Sequence, residues 1–117
     1  MKKVSLVIPM YYEEEVANEC YEKVSEVLKG IGDKYDYEII FVNDGSKDKT
    51  LEILEEISKK DEKAKIISFS RNFGHQAAVT AGLREVTGDA IVIIDADLQD
   101  PPELIPKMLE LWEQGNE

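Results

Sequence analysis

Two carboxylates stand one residue apart after an apolar run: Asp95 and Asp97 follow residues 90–94. Side chains two positions apart on an extended segment project to the same side, so these carboxylates can converge on one hard divalent cation. The amide oxygen of Gln99 is a third candidate ligand, and oxygen ligands favour Mg²⁺ or Mn²⁺. Such a metal keeps positions open for the phosphate oxygens of a substrate. The alternative is that Asp95 caps a turn and Asp97 is only solvated, because a single D-x-D occurs often by chance.

Polar or aromatic residues also follow two other apolar runs. Positions 43–46, after residues 38–42, are Asn, Asp, Gly and Ser, which favour turns for reasons of backbone geometry. This segment is either an ordinary turn or a place where Asp44 accepts hydrogen bonds from a nucleobase. After residues 4–8, Tyr11 either lies in a simple strand exit or offers a ring against which a base can lie.

Charged side chains complete the set of candidates. Arg71 and His75 follow the apolar run at residues 65–69. Arg71 is able to clamp a phosphate, and His75 is able to titrate near neutral pH, although a histidine at a helix start is more often a surface or capping residue. The dipole of a helix explains the three glutamates at 13–15, so only one of them needs a functional role.

The elements that position these residues alternate regularly. The four apolar runs have the length of strands, are rich in Val and Ile, and are nearly continuous, as expected of parallel strands covered on both faces. Helical spacing of apolar residues occurs at residues 13–29, from Asp48 or Thr50 onward, at residues 75–86, and after Pro101 and Pro102. The order βαβαβαβα predicts an α/β fold with a doubly wound, mostly parallel sheet. Ligands of such sheets bind beyond the carboxyl ends of the strands, where the candidate residues are found.

Composition narrows the classes of ligand. The chain has 117 residues, the length of one domain, and its 14 Lys and Arg against 25 Asp and Glu give a net charge of −11. We expect no nucleic-acid partner, because such proteins neutralise phosphates with cations, and the positive charge for a phosphate-bearing ligand must come from a metal. The glycine spacings fit neither a dinucleotide-binding fingerprint nor a P-loop. The apolar runs are too short for a signal peptide or membrane helix, and a single cysteine, Cys20, forms no internal disulfide, so we expect a cytoplasmic location.

The four segments together resemble glycosyltransferase family 2, which has the GT-A fold. The matching motifs are collinear, cover nearly the whole chain and lie at residues 5–14, 41–50, 70–78 and 94–103. The last two resemble in particular the branch that contains dolichol-phosphate mannose synthase and the bacterial enzymes that transfer sugars to polyprenyl phosphate. The resemblance implies an inverting transfer of a sugar from a nucleotide-diphosphate sugar to a polyprenyl or dolichyl phosphate lipid or a glycan, in cell-wall or membrane glycan synthesis.

The resemblance also assigns roles to residues by position. It implies that five residues line the nucleotide-sugar site: Pro9, Tyr11, Glu13, Asp44 and Asp95. It implies that Asp95, Asp97 and Gln99 hold Mg²⁺ or Mn²⁺, with Asp97 as the catalytic residue. The family's strand order, 3-2-1-4, would place Tyr11 and Glu13 across from the two aspartates. One departure is Tyr12, where the family commonly has asparagine.

The family's catalytic domain is longer than this chain and often continues into membrane helices. We therefore expect residues 1–117 to be the N-terminal, nucleotide-sugar-binding part of that domain, unable to transfer sugar alone. The full-length protein would sit at the cytoplasmic face of the membrane, and the open edge of the fourth strand would favour self-association. Two alternatives are a non-catalytic nucleotide-sugar or metal-binding module and a receiver-like or flavodoxin-like domain. The second lacks a well-placed acceptor Asp and Lys pair.

Overall fold

The computed structural model describes residues 2–97 and 101–115. Within these described residues four strands alternate with four α-helices, which confirms the predicted α/β order. The elements are β1 (Lys2–Met10), α1 (Ala17–Gly30), β2 (Tyr35–Asn43), α2 (Thr50–Lys60), β3 (Ala64–Ser68), α3 (His75–Glu85), β4 (Ala90–Ile93), a 3₁₀ turn (Pro102–Leu104) and α4 (Ile105–Glu113). None of these helices has the length and hydropathy that crossing a bilayer requires.

The sheet has the strand order β3-β2-β1-β4, with every pair parallel, as the resemblance implies. Strand β1 is central: Met10 pairs with Asn43 of β2, and Val7 pairs with Ile93 of β4. The chain therefore reverses its direction of winding between β3 and β4, at β1. The carboxyl ends of β1 and β4 lie side by side there, which is where ligands of open α/β sheets bind.

Helices cover both faces of the sheet, as a doubly wound fold requires. The larger core packs α1, α2 and α4 on one face of β1 and β2, around Leu6 and Phe41. The smaller core packs α3 on the other face, against Val7 and Ile40. Helix α3 approaches closely because it has Gly82 at the contact, where an added Cβ would lie 2.4 Å from Val7 Cγ1. Burial of both faces explains why the strands are nearly continuous apolar runs.

Several boundaries differ from those predicted. Strands β1 and β2 extend beyond residues 4–8 and 38–42, because their pairing runs from Lys2 and Tyr35 onward. Strand β3 begins and ends one residue before 65–69, and β4 ends at Ile93 rather than at residue 94. Helix α1 begins at Ala17 rather than at residue 13, since the Glu13 carbonyl accepts hydrogen bonds from the Val16 and Ala17 amides and forms a turn. Glu13 is thereby held between β1 and α1.

A buried carboxylate stabilises the face of the sheet that α3 covers. Glu38 is 1% exposed. Its side chain accepts hydrogen bonds from Ser5 Oγ at 2.6 Å, Lys65 Nζ at 2.8 Å and the Thr87 amide at 2.7 Å. Burial alone would raise the pKa of Glu38, but the hydrogen bonds from these three residues outweigh it and hold the pKa at about 2. The network ties β1, β2 and β3 to the connection between α3 and β4.

The single cysteine lies in the larger core. Cys20 of α1 is fully buried among residues of the sheet and of the neighbouring helices. Burial, followed by the negative charges of Glu13 and Asp97, raises the pKa of its thiol to about 12. The thiol is therefore protonated and unreactive in the folded protein.

The surroundings of β4 are apolar and exposed. Among the described residues β4 has a strand neighbour on one side only, because it ends the sheet order. Ile91 and Ile93 are each 46% exposed on the face where α3 lies over β1 and β2, and Met108 and Leu111 of α4 are exposed beside the same edge. An unpaired edge flanked by apolar side chains invites pairing with another chain.

We expect this edge to cause concentration-dependent self-association. A charge on an edge strand opposes pairing, so Ile91→Lys should weaken association at least fivefold in sedimentation equilibrium. Thr80→Lys, which adds the same charge at an exposed position on α3, is the matched control. A wild-type protein that stays monomeric up to millimolar concentration contradicts the expectation.

Candidate functional site

A cleft of about 390 Å³ opens beside the carboxyl ends of β1 and β4. It is lined by Pro9, Met10, Tyr11, Glu13, Asp44, Asn72, Gly74, His75, Ala78, Asp95, Ala96 and Asp97. The structure thus brings together every residue to which the resemblance assigns a role except Gln99, which lies outside the described residues. The cleft is at the edge that the strand order predicts. The binding roles of its residues stay predictions.

The two aspartates reach the cleft in a different way from the one predicted. Strand β4 ends at Ile93, and a turn occupies residues 96 and 97, so the segment is not extended as expected. Ala96 is only 4% exposed, whereas Asp95 and Asp97 are exposed on either side of it. All three residues line the cleft. The predicted extended geometry is therefore wrong, and the convergence of the two carboxylates on one cation stays a prediction.

The acidic residues of the cleft act on one another electrostatically. Burial raises the pKa of the Glu13 carboxyl, and the negative charges of Asp97, Asp48 and Asp95 raise it further. Crowding of carboxylates around one opening fits a hard divalent cation, which would relieve their repulsion.

The acidic side chains of the cleft supply some, but not all, of the ligands that a divalent cation requires. Within residues 2–97 and 101–115, no three His, Cys, Asp or Glu side chains are grouped so that they alone form a metal site. Mg²⁺ is commonly held by one or two carboxylates, with water and substrate phosphates as the other ligands. Asp95 and Asp97 therefore fit a metal that is completed by ligands from outside the protein.

Asp44 has structural partners that its sequence position did not reveal. It is 3% exposed, and its carboxylate accepts hydrogen bonds from the Phe73 amide at 2.8 Å, the Gly74 amide at 3.0 Å and Asn72 Nδ2 at 3.0 Å. A carboxylate has about four acceptor positions, so one remains for a group in the cleft. Asp44 thus anchors the connection between β3 and α3, and its predicted hydrogen bond to a base would use the remaining position.

Gly45 packs the connection between β2 and α2 against the connection between β3 and α3. Its φ is +74°, in the left-handed region, and an added Cβ would lie 2.1 Å from the Arg71 carbonyl carbon. Glycine is the residue that adopts this conformation without steric penalty and leaves room for the neighbouring backbone. Of residues 43–46, Asn43 ends β2 and Gly45 forms a bend that has a packing role, and the hydrogen bond of Asp44 to a base stays a prediction.

We expect Gly45→Ala to destabilise the fold by about 2–5 kcal/mol, from the left-handed conformation and from overpacking against Arg71. Urea unfolding at neutral pH measures the change. Gly30→Ala is the control, because a Cβ there meets nothing within 4 Å and alanine favours a helix. Equal stability of the Gly45 and Gly30 variants would mean that the two connections are not locked together.

Tyr12, which stands where the family commonly has asparagine, has an unusual backbone conformation. Tyr12 has a φ of 54°, a left-handed conformation that asparagine adopts more readily than tyrosine does. Its amide donates a hydrogen bond to Ser46 Oγ at 2.9 Å, and its ring packs edge-to-face against Tyr11 with 4.6 Å between centroids. These contacts hold the loop in the conformation for which the family's asparagine is suited.

The connection between β3 and α3 contributes cleft residues that the sequence pattern did not single out. Asn72 and Gly74 line the cleft but were not among the candidates, and their signal was their place between an apolar strand and a helix. Arg71, a candidate phosphate clamp, is not in the cleft lining; its guanidinium stacks over the Phe73 ring at 4.7 Å. His75 does line the cleft, and its Nε2 lies 3.4 Å from Asp95 Oδ1.

Comparisons with known proteins agree with this geometry. The model of the glycosyl transferase family 2 matches residues 5–117. An uncharacterized glycosyltransferase of Bacillus subtilis, YkcC, is 57% identical over 113 residues, which is 97% of this chain and 34% of the relative. A bactoprenol glucosyl transferase of Shigella phage SfX is 46% identical over 115 residues, 97% of this chain and 36% of the relative.

A solved structure agrees as well. The glucosyl-3-phosphoglycerate synthase of Mycobacterium tuberculosis, in complex with Mn²⁺, uridine diphosphate and phosphoglyceric acid, superposes with a TM-score of 0.67 at 26% identity, over 95% of this chain and 39% of that one. The chain spans about a third of the length of the curated relatives, at 34% and 36%. The family match covers nearly all of it, and the sheet order and cleft are those expected from the resemblance. The chain belongs to glycosyl transferase family 2.

Proposed function

We propose that this chain supplies the donor-binding part of a metal-dependent, inverting glycosyltransferase that takes its sugar from a nucleotide-diphosphate sugar. The observation that carries the proposal is the cleft, which gathers residues from the ends of β1 and β2 and from beyond β4. Three of them are the aromatic Tyr11 and the acidic Asp44 and Asp95. A ring, a buried hydrogen-bond acceptor and exposed carboxylates are the groups that a base, a ribose and a metal-bound diphosphate require.

The roles within the cleft follow from position. Tyr11 and Pro9 at the end of β1 provide the surface for the base, and Asp44 accepts a hydrogen bond from it. Glu13 is held by its backbone bonds to the start of α1 and by a bond from its amide to Thr50 Oγ1 at 3.0 Å, and it faces the nucleoside. Asp95 and Asp97 hold Mg²⁺ or Mn²⁺, with Gln99 as the further ligand.

The negative charge of the chain means that a diphosphate needs a cation in order to bind. A net charge of −11 and the crowded carboxylates around Glu13 repel a diphosphate. A bound divalent cation supplies the positive charge that stabilises the departing diphosphate. Asp97 serves catalysis by holding that charge in place. In the inverting transfer, an acceptor oxygen forms a bond to the anomeric carbon as the bond from that carbon to the diphosphate breaks.

The acceptor that we propose is a polyprenyl phosphate. This proposal is supported by the bactoprenol glucosyl transferase that is 46% identical to this chain. The Mn²⁺ and uridine diphosphate of the mycobacterial synthase likewise support the metal and the donor class. We place the reaction of the full-length protein at the cytoplasmic face of a membrane, where a nucleotide sugar meets a lipid phosphate.

A thermal-shift and calorimetry panel tests donor binding. Uridine, guanosine, cytidine and thymidine diphosphates and their glucose or mannose conjugates are each titrated with Mn²⁺ and again with a chelator. We expect the nucleotides of one base to raise the melting temperature of the protein, and to do so only when Mn²⁺ is present. A response to metal without any response to nucleotides would instead favour a metal-binding module, and no response to either would contradict the proposal.

A further inference from the structure

Asp44 and Asp95 lie on opposite sides of β1, because β2 and β4 flank that strand. Two strand spacings separate them, about 10 Å. Residues 72–75, which lead from β3 into α3, contact both carboxylates, and three of the four line the cleft. This 72–75 segment is therefore a physical connection between the two sides of the candidate site.

The connection is firm on the side of Asp44. The buried carboxylate accepts bonds from the amides of Phe73 and Gly74 at 2.8 and 3.0 Å, and Asn72 Nδ2 also reaches the Asp44 carbonyl at 3.3 Å. Hydrogen bonds to a buried charged group are stronger than those between neutral groups. Gly45 reinforces them by packing directly against the backbone of Arg71.

The connection is weaker on the side of Asp95. His75 Nε2 lies 3.4 Å from Asp95 Oδ1, and both side chains are more than 60% exposed, at 66% and 61%. His75 donates to the carboxylate when its proton is on Nε2. His75 is the first residue of α3 and directly follows Gly74, whose amide donates a hydrogen bond to Asp44.

We propose that the 72–75 segment orients Asp95, so that Asp44 and His75 are positioning residues for the metal end of the cleft. The inference rests on the proposed function, since the metal is the one proposed there. Residues that hydrogen-bond metal ligands fix their orientation, and their loss commonly weakens metal affinity about 10- to 100-fold. Asp44 would then affect metal binding without touching the metal, in addition to any contact with a base.

Titration of the protein with Mn²⁺ alone, followed by the electron paramagnetic resonance signal of the free ion, tests the proposal without nucleotide or activity. We expect His75→Ala to weaken Mn²⁺ binding about tenfold, near the lower end of the outer-shell range. His75→Gln should stay within about twofold of wild type, because its amide nitrogen can donate from a place close to Nε2. Gln76→Ala, at the next exposed position of α3, is the control and should have no effect.

Asp44→Asn separates the proposed role from base recognition. A residue that only recognises the base leaves the affinity for Mn²⁺ alone unchanged, whereas the connection predicts a loss similar to that of His75→Ala. The double variant should lose no more than the larger single effect, because both substitutions interrupt one path. If His75→Ala binds Mn²⁺ with the wild-type affinity, the inference is overturned. The proposed function is unaffected by that result, because the wild-type protein still binds Mn²⁺. Absence of Mn²⁺ binding in wild type contradicts both.

A second measurement does not depend on the metal. In amide correlation spectra of the metal-free protein, Asp44→Asn should shift the resonances of Asp95 and Ala96 as well as those of Phe73 and Gly74. Shifts confined to residues 72–75 would show that Asp44 does not reach Asp95, and would overturn the inference even if Asp44→Asn folds less stably.

Discussion

Replacing Asp97 with asparagine is expected to weaken binding of the preferred nucleotide diphosphate by more than 100-fold in the presence of Mn²⁺. Removal of a group that only supports a metal ligand costs about 10- to 100-fold, and a ligand itself should matter more. The substitution keeps the shape of the side chain and removes its charge. Binding measured with a chelator should be weak for both proteins, because the remaining carboxylates repel the diphosphate.

Calorimetry with and without Mn²⁺ measures this effect. Asp33→Asn is the matched control, since it removes one negative charge at an exposed position between α1 and β2. A general effect of net charge would appear in both variants, whereas a metal site at Asp97 affects only one. Equal nucleotide affinity with and without metal in wild type would contradict the proposed site.

The second large effect concerns Glu38 and the pH dependence of stability. Its folded pKa is about 2, below the ordinary value of 4.5. A lowered folded pKa means that the contribution to stability is present above pH 4.5 and is lost as the pH falls from about 4.5 to 2. Lowering of the Glu38 pKa from 4.5 to about 2 corresponds to a contribution on the order of 3 kcal/mol at neutral pH.

Urea unfolding of wild type and Glu38→Gln between pH 7 and pH 3 tests this expectation. At pH 7 the variant should be less stable by about 3 kcal/mol, since a neutral amide replaces the buried carboxylate that accepts hydrogen bonds from Ser5, Lys65 and the Thr87 amide. The difference should shrink as the pH falls below about 4.5, because the Glu38 carboxyl of the unfolded wild-type chain takes up a proton there while the folded carboxylate, with a pKa of about 2, stays mostly ionised. Glu52→Gln, on an exposed position of α2, is the control. A difference that does not vary with pH would show that Glu38 has no strongly lowered pKa.

The order of elements and the members of the cleft were predictable because both follow from local patterns. A continuous apolar run such as Leu6 to Ile8 reports burial on both faces, and parallel strands bring the residues that follow them to one edge. Tyr11 and Asp44 were identified in this way and Pro9 by the family resemblance, and all three line the cleft.

Long-range partners were not predictable in this way. Nothing near Asp44 in the sequence indicates that its carboxylate is bonded to residues 72–74, which lie some 28 to 30 positions later. Glu38 likewise stood at the start of an apolar run, without any sign of its bonds to Ser5 and Thr87. The turn at residues 96 and 97 depends on the burial of Ala96, which a period-two pattern does not report. These features arise from packing between elements.

Because Cys20 is buried, the rate at which its thiol is labelled reports how often α1 separates from the sheet. A maleimide or disulfide reagent reacts with the thiolate, and in the folded state a pKa of about 12 and full burial prevent that reaction. Labelling must therefore wait until α1 separates from the sheet. Glu13, whose carbonyl starts α1, also lines the cleft, so a ligand that holds it should slow that separation. The labelling rate of one natural cysteine would then measure ligand binding without any added probe.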